Sequence, residues 1–120
     1  MPYGGEKFTF CPAKAKYSRV LTSWYNHFNR AHYGGRLPKL NCYWYPFRKM
    51  LTHGATMFED GKPTRILFHK NLNIPFLGRM CLISLLHEIA HVATPRAMHG
   101  KVFKDEQERL MRKGAYRGLF

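Results

Sequence analysis

A chain of 120 residues, 45% hydrophobic and 15% aromatic, can bury one core and is too short for two. That composition excludes a disordered or fibrous polypeptide. Twenty Lys+Arg against seven Asp+Glu give a net charge of +13, which excludes an acidic surface and favours polyanionic partners, nucleic acid first among them.

Residues 1–12, with Pro2, Gly4, Gly5 and Pro12, read as an irregular arm. From Ala13 to Tyr33 the apolar positions Tyr17, Val20, Leu21, Trp24 and Phe28 recur at threes and fours, predicting an amphipathic helix that Gly34-Gly35 ends. Leu37–Phe47 alternates as a strand and closes at Pro46. Alternation there places Tyr43, Tyr45 and Phe47 on one face and Trp44 on the other, so at least one set belongs to the core rather than to a base-stacking surface. Ala55–Phe58 and Arg65–Phe68 flank Glu59-Asp60-Gly61-Lys62-Pro63, a hairpin signal. Asn71–Pro75 leads into Phe76–Ala93, rich in Leu, Ile, Met and Ala, which Pro95 stops. Lys101–Lys113 forms a last helix before a tail over 114–120. The prediction is a single α+β domain over 1–120: an N-terminal helix, a three-stranded, mostly antiparallel sheet and two further helices.

The chemistry lies in His87-Glu88-Ile89-Ala90-His91. On a helix the two histidines, four apart, project from one face and can bind one Zn²⁺ at about 2.0–2.1 Å each. Glu88, one position on, sits where it reaches a bound water rather than the ion. A catalytic zinc takes three protein ligands and leaves a fourth position open. His99, after the Pro95 turn, completes the set; a carboxylate from Asp105, Glu106 or Glu108 is the less favoured third ligand. A metzincin pattern would place Gly at 94 and His at 97, where the chain has Thr94 and Ala97. His27, His32, His53 and His69 lack a partner at ligand spacing and read as surface or hydrogen-bonded residues, and Cys81 as a small core hydrophobe. Glu88 is then the general base, and Tyr116, Arg96 and His53 are candidates for steadying an oxyanion, with spacing choosing none of them.

Leu86-His87-Glu88-Ile89-Ala90-His91 followed by His99-Gly100-Lys101-Val102-Phe103 resembles the SprT-like (Spartan-type) zinc metalloprotease domain. Tyr25-Asn26-His27-Phe28 with Leu37-Pro38, and the segment from Trp44 to Asn71, extend the likeness over roughly residues 15–115. The resemblance implies a zincin-like fold, His87, His91 and His99 on zinc, and endopeptidase activity on protein bound or crosslinked to DNA. It also implies a sheet edge that holds an extended substrate, for which Ala55–Phe58 and Arg65–Phe68 are the candidates. The likeness is to a minimal form without the family's four-cysteine zinc ribbon, so any DNA recruitment is expected from the basic surface or from a partner. Such brevity would suit a viral or mobile-element version.

Two other readings stand beside this one: a basic nucleic-acid-binding module with a non-catalytic zinc, and a three-histidine metal hydrolase of nucleic acid. Open coordination disfavours the first, and the lack of an acidic cluster for a second metal disfavours the other. Cys11, Cys42 and Cys81 are odd in number and form no C-x-x-C pair, as reduced thiols of an intracellular protein would. The first ten residues hold no apolar signal core and no run nears 18 apolar residues. The expectation is a soluble, cytoplasmic, monomeric protein with no membrane partner.

Overall fold

The computed structural model describes residues 10–47, 54–72, 78–95 and 100–117. The first helix, α1, spans Arg19–Tyr33. Ser18, in extended conformation, accepts the Leu21 N–H on its side-chain oxygen at 3.2 Å and so satisfies one of the free amides of the first turn. That cap places the start of the helix six residues beyond the predicted Ala13. Upstream, Pro12–Lys14 makes a single 3-10 turn, and Lys16–Tyr17 is a short strand, β1. Gly34 and Gly35 both take positive φ, and the Gly35 amide returns to Asn29 O at 3.1 Å, a helix-terminating reversal that residues with a Cβ adopt at a cost.

Three more strands follow: β2 at Asn41–Tyr45, β3 at Gly54–Glu59 and β4 at Lys62–His69. They form one mixed sheet in the order β1-β2-β4-β3. The outer pairs, β1–β2 and β3–β4, are antiparallel, whereas β2 and β4 run parallel, with Cys42 opposite Ile66 and Trp44 opposite Phe68. The α+β class therefore holds, but among the described residues the sheet has four strands and a parallel centre rather than three mostly antiparallel strands. The β3–β4 turn is the predicted hairpin: Asp60 (φ 52°) and Gly61 (φ 76°) are both left-handed, as a two-residue type I′ loop requires.

One face of the sheet lies under the helices. Cys42, Ile66 and Phe68 meet Leu21, Tyr25 and Phe28 of α1 and Leu85, Leu86 and Ile89 of the second helix, α2, at Gly78–Ala93. The other face carries a smaller cluster in which Tyr45, Phe47 and Leu67 pack with Phe10 and Tyr43. Both alternating sets of β2 are thus packed: Trp44 leans on the helix-side core and Tyr45 on the opposite one. The aromatic run of this strand serves packing. Among the described residues no helix is long and apolar enough to cross a membrane.

The last helix, α3, covers Lys101–Arg112 and buries Phe103 and Leu110. Its far half is fastened to the end of α1. Glu106 accepts two bonds from Arg109, at 2.8 and 2.9 Å, and a third from the Tyr33 hydroxyl, while the Arg109 guanidinium lies 4.8 Å over the Tyr33 ring. A hydrogen bond to a charged partner contributes about 1.5–3 kcal/mol. Tyr33→Phe should therefore lower the urea midpoint by the equivalent of about 1–2 kcal/mol, the Arg109 bonds to Glu106 remaining. An unchanged midpoint would show that α3 is held by its apolar face alone.

Candidate metal centre

The α2 helix is apolar on nearly every side because it is buried between the sheet, α1 and α3, and its polar residues are therefore conspicuous. His87 and His91, one turn apart, bring their ring centroids to 4.9 Å at an interplanar angle of 77°. Phe103 from α3 closes against both: it stacks on His91 at 4.2 Å and stands edge-on to His87 at 5.1 Å. One turn along α3 from Phe103, the Gln107 amide nitrogen lies 3.3 Å from Nδ1 of His87, with donor and acceptor set by the tautomer. The Tyr116 hydroxyl is hydrogen-bonded to the same glutamine and is buried, with its ionisation suppressed.

Glu88 points to the opposite flank of α2. It is 5% exposed, and its Oε1 accepts a 2.8 Å bond from the Thr56 hydroxyl on β3. Thr56 stands opposite Ile66 in the β3–β4 register and so shares the helix-side face of the sheet. Burial pushes the Glu88 carboxyl up to about 7, and the side-chain and backbone hydrogen bonds from Thr56 pull against that rise. Gly54, two residues before Thr56, makes room for the approach. A Cβ there would meet Leu67 O at 3.0 Å and the Glu88 Cγ and Oε2 at 3.6 Å.

Strand β4, with Arg65–Phe68, is paired on both sides, whereas among the described residues β3, with Ala55–Phe58, pairs with β4 alone and lies beside Glu88.

The other sequence candidates fall into two groups. His99, Arg96 and His53 lie outside the described residues. Asp105, Glu106 and Glu108 are paired along or across α3, with Lys101 at 2.7 Å, with Arg109, and with Arg112 at 3.7 Å respectively. His27 and His32 sit among Trp24 and Phe28 on α1, and His69 takes the Asn71 amide on Nδ1. The Cys81 thiol donates to Leu72 O, and Cys42 is buried in the core with its thiol pushed up to about 12. Among the described residues, no three potential ligands gather in one place.

The structure thus brings His87, His91 and Glu88 onto one helix between α3 and an edge strand. It adds Thr56, Gly54 and Gln107, which the sequence reading passed over. Thr56 could have been suspected from alternation across the hairpin; Gln107 had only its place one turn beyond Phe103 to recommend it. Protein-family models, curated proteins and solved structures offer no match to the chain.

The raised carboxyl sets a pH dependence for the metal-free chain. In the unfolded state Glu88 ionises near its ordinary value of 4.5, and in the fold it keeps its proton to about 7. Stability is highest below the unfolded value, falls as pH rises through that window, and is constant above it. In chelator-stripped protein, Glu88→Gln should raise stability at pH 8 by on the order of 1–3 kcal/mol and change it little at pH 4. Denaturant midpoints at the two pH values check this; equal effects at both would mean that the carboxyl ionises freely in the fold.

Proposed function

We propose that the chain is a zinc-dependent endopeptidase of the SprT-like, zincin-like type, acting on proteins associated with nucleic acid. The observation that carries the proposal is the Glu88 carboxyl, one residue from the His87–His91 pair and held by Thr56 against an edge strand. A carboxyl in that position is costly to bury and contributes little to packing, as is common for a group kept for proton transfer.

His87 and His91 fit a borderline metal: two imidazole donors lie side by side, and an amide backs the second nitrogen of one of them. His99 is the proposed third ligand. Zinc held by these residues would supply an acidic bound water and a Lewis acid for the scissile carbonyl. The chain's own residues do the rest. Glu88 takes the proton of the attacking water and passes it to the leaving amine. Thr56 aims the carboxylate and keeps it in one rotamer. Gln107, with its amide 3.3 Å from Nδ1 of His87, would restrain the orientation of that ring. The outer edge of β3 offers backbone groups to an extended substrate, and Gly54 keeps that strand close to the carboxyl.

Three variants separate these roles. Glu88→Gln should keep stoichiometric zinc while losing about 10²–10⁴-fold in turnover of a protein substrate. His91→Ala should lose both metal and turnover. Gln107→Leu should fold normally but release zinc to a competing chelator about 10–100-fold more readily. Metal analysis beside a proteolysis assay reads all three. Full peptidase activity in the Glu88→Gln variant would remove Glu88 from its role, and wild-type protein that never retains zinc would remove the whole reading.

A further inference from the structure

The chain's charge is unevenly placed. Residues 7–58 contain no Asp or Glu at all, against nine Lys and Arg. In the described part of that stretch, Lys14, Lys16, Arg19, Arg30, Arg36 and Lys39 have no carboxylate nearby in sequence. On α3, by contrast, Lys101, Arg109 and Arg112 are each bonded to a neighbouring acid. A surface basic merely for solubility would intersperse the two signs, as α3 does.

This uncompensated charge borders a groove. Between the second half of α1 and the Gly35–Asn41 connection lies an open depression of about 430 Å³. Its floor is rigid: Asn29, nearly buried, donates to Leu37 O at 3.2 Å and accepts the Leu37 N–H at 3.0 Å, and Thr22 bonds Ser18 O and the Cys42 N–H. Its rim carries Asn26, Arg30, Lys39 and Asn41, all exposed, and no acidic residue lines it. The Asn29 amide gives one hydrogen to Leu37, and a primary amide carries two. Upstream, Arg19, Ser23, Asn26 and Arg30 follow at helical spacings of four, three and four, an exposed stripe of donors leading into the groove.

We propose that this groove and the α1 stripe bind the phosphates of a single nucleic-acid strand. Guanidinium, ammonium and amide donors with no competing carboxylate are the chemistry that phosphate oxygens require. The negative end of α1 opposes this only weakly, being a partial charge screened by solvent, and the two full charges of Arg30 and Lys39 outweigh it. Strand order separates this groove from the edge beside Glu88, since β4 lies between β2 and β3. Nucleic acid held at the α1 side therefore leaves β3 to the protein attached to it. That consequence for cleavage rests on the peptidase reading; the binding does not.

The test is anisotropy of fluorescein-labelled oligo-dT and oligo-U titrated with zinc-loaded protein between 50 and 200 mM salt. Arg30→Glu/Lys39→Glu should weaken binding at least tenfold and flatten the log–log salt slope by about 1.5. A charge-matched control on α3 and its C-cap, Lys104→Glu/Lys113→Glu, should weaken it at most about threefold. The tighter of the two probes names the polymer, and equal affinity assigns recognition to phosphate alone. Equal loss in the two double variants, or no binding by wild type at 50 mM salt, overturns the proposal. Proteolysis of a DNA-bound protein and of an unfolded, DNA-free one is then compared. The groove variant should lose the first and keep the second. A wild type that binds oligonucleotide but cleaves neither would leave the groove standing and sink the peptidase.

Discussion

The contact between Glu88 and Thr56 is the constraint around which the fold is arranged. An apolar helix could lie on this sheet in several rotations, because Leu85, Leu86, Ile89 and Val92 present hydrophobic surface in more than one direction. A buried carboxyl cannot tolerate that freedom: displaced from its donor, it would sit in the core with no partner, at a cost of several kcal/mol. The bond to Thr56 therefore fixes the rotation of α2 about its axis. With the rotation fixed, His87 and His91 necessarily face α3. Gly54 belongs to the same constraint, since a side chain there would push the strand away from the carboxyl it lies against.

On the other flank, α3 acts as a clamp whose two ends do different work. Near its start, Phe103 stacks on one imidazole and meets the other edge-on, restricting both rings. At its far half, Glu106 and Arg109 bind Tyr33 at the end of α1. Gln107 lies between these attachments, one turn from Phe103, so its reach to His87 is set from both sides. The Tyr116 hydroxyl behind it joins the tail of the chain to the same line of contacts. An oxyanion role for Tyr116 would require its hydroxyl to serve the substrate from within this bond to Gln107.

What was legible in the sequence was whatever local chemistry dictates. The hairpin at Asp60-Gly61 could be read from its turn residues, because left-handed φ at both positions excludes most others. The end of α1 at Gly34 followed from the Gly34-Gly35 pair, and the His87–His91 pairing followed from helical geometry. The misses are non-local. The parallel register of β2 on β4 depends on a crossover that no short pattern encodes. Strand β1 has two residues, too few for any periodicity, and the helix-like spacing of Tyr17 and Val20 across Ser18 disguised it. Gln107 and Thr56 are ordinary surface and strand residues until two elements meet; only packing turns them into partners of His87 and Glu88.

The two halves of the charge distribution follow the two halves of the fold. The acids present in the described residues lie on the β3–β4 turn, in α2 and on α3, and apart from Glu88 those on α3 are matched with cations of the same helix. Helix α1 and strands β1 and β2 carry none of their own, and the acid that reaches the end of α1, Glu106, is paired with Arg109. Long-range attraction to a polyanion is therefore strongest away from the buried carboxyl. This separation has a chemical rationale. A phosphate backbone drawn close to Glu88 would add negative charge beside a carboxyl whose ionisation burial already opposes, leaving less of it as carboxylate, and would cover the β3 edge. On the proposed reading, cations at the α1 side of the fold would hold the nucleic acid of a nucleoprotein while leaving the carboxyl, the histidine pair and β3 to its protein.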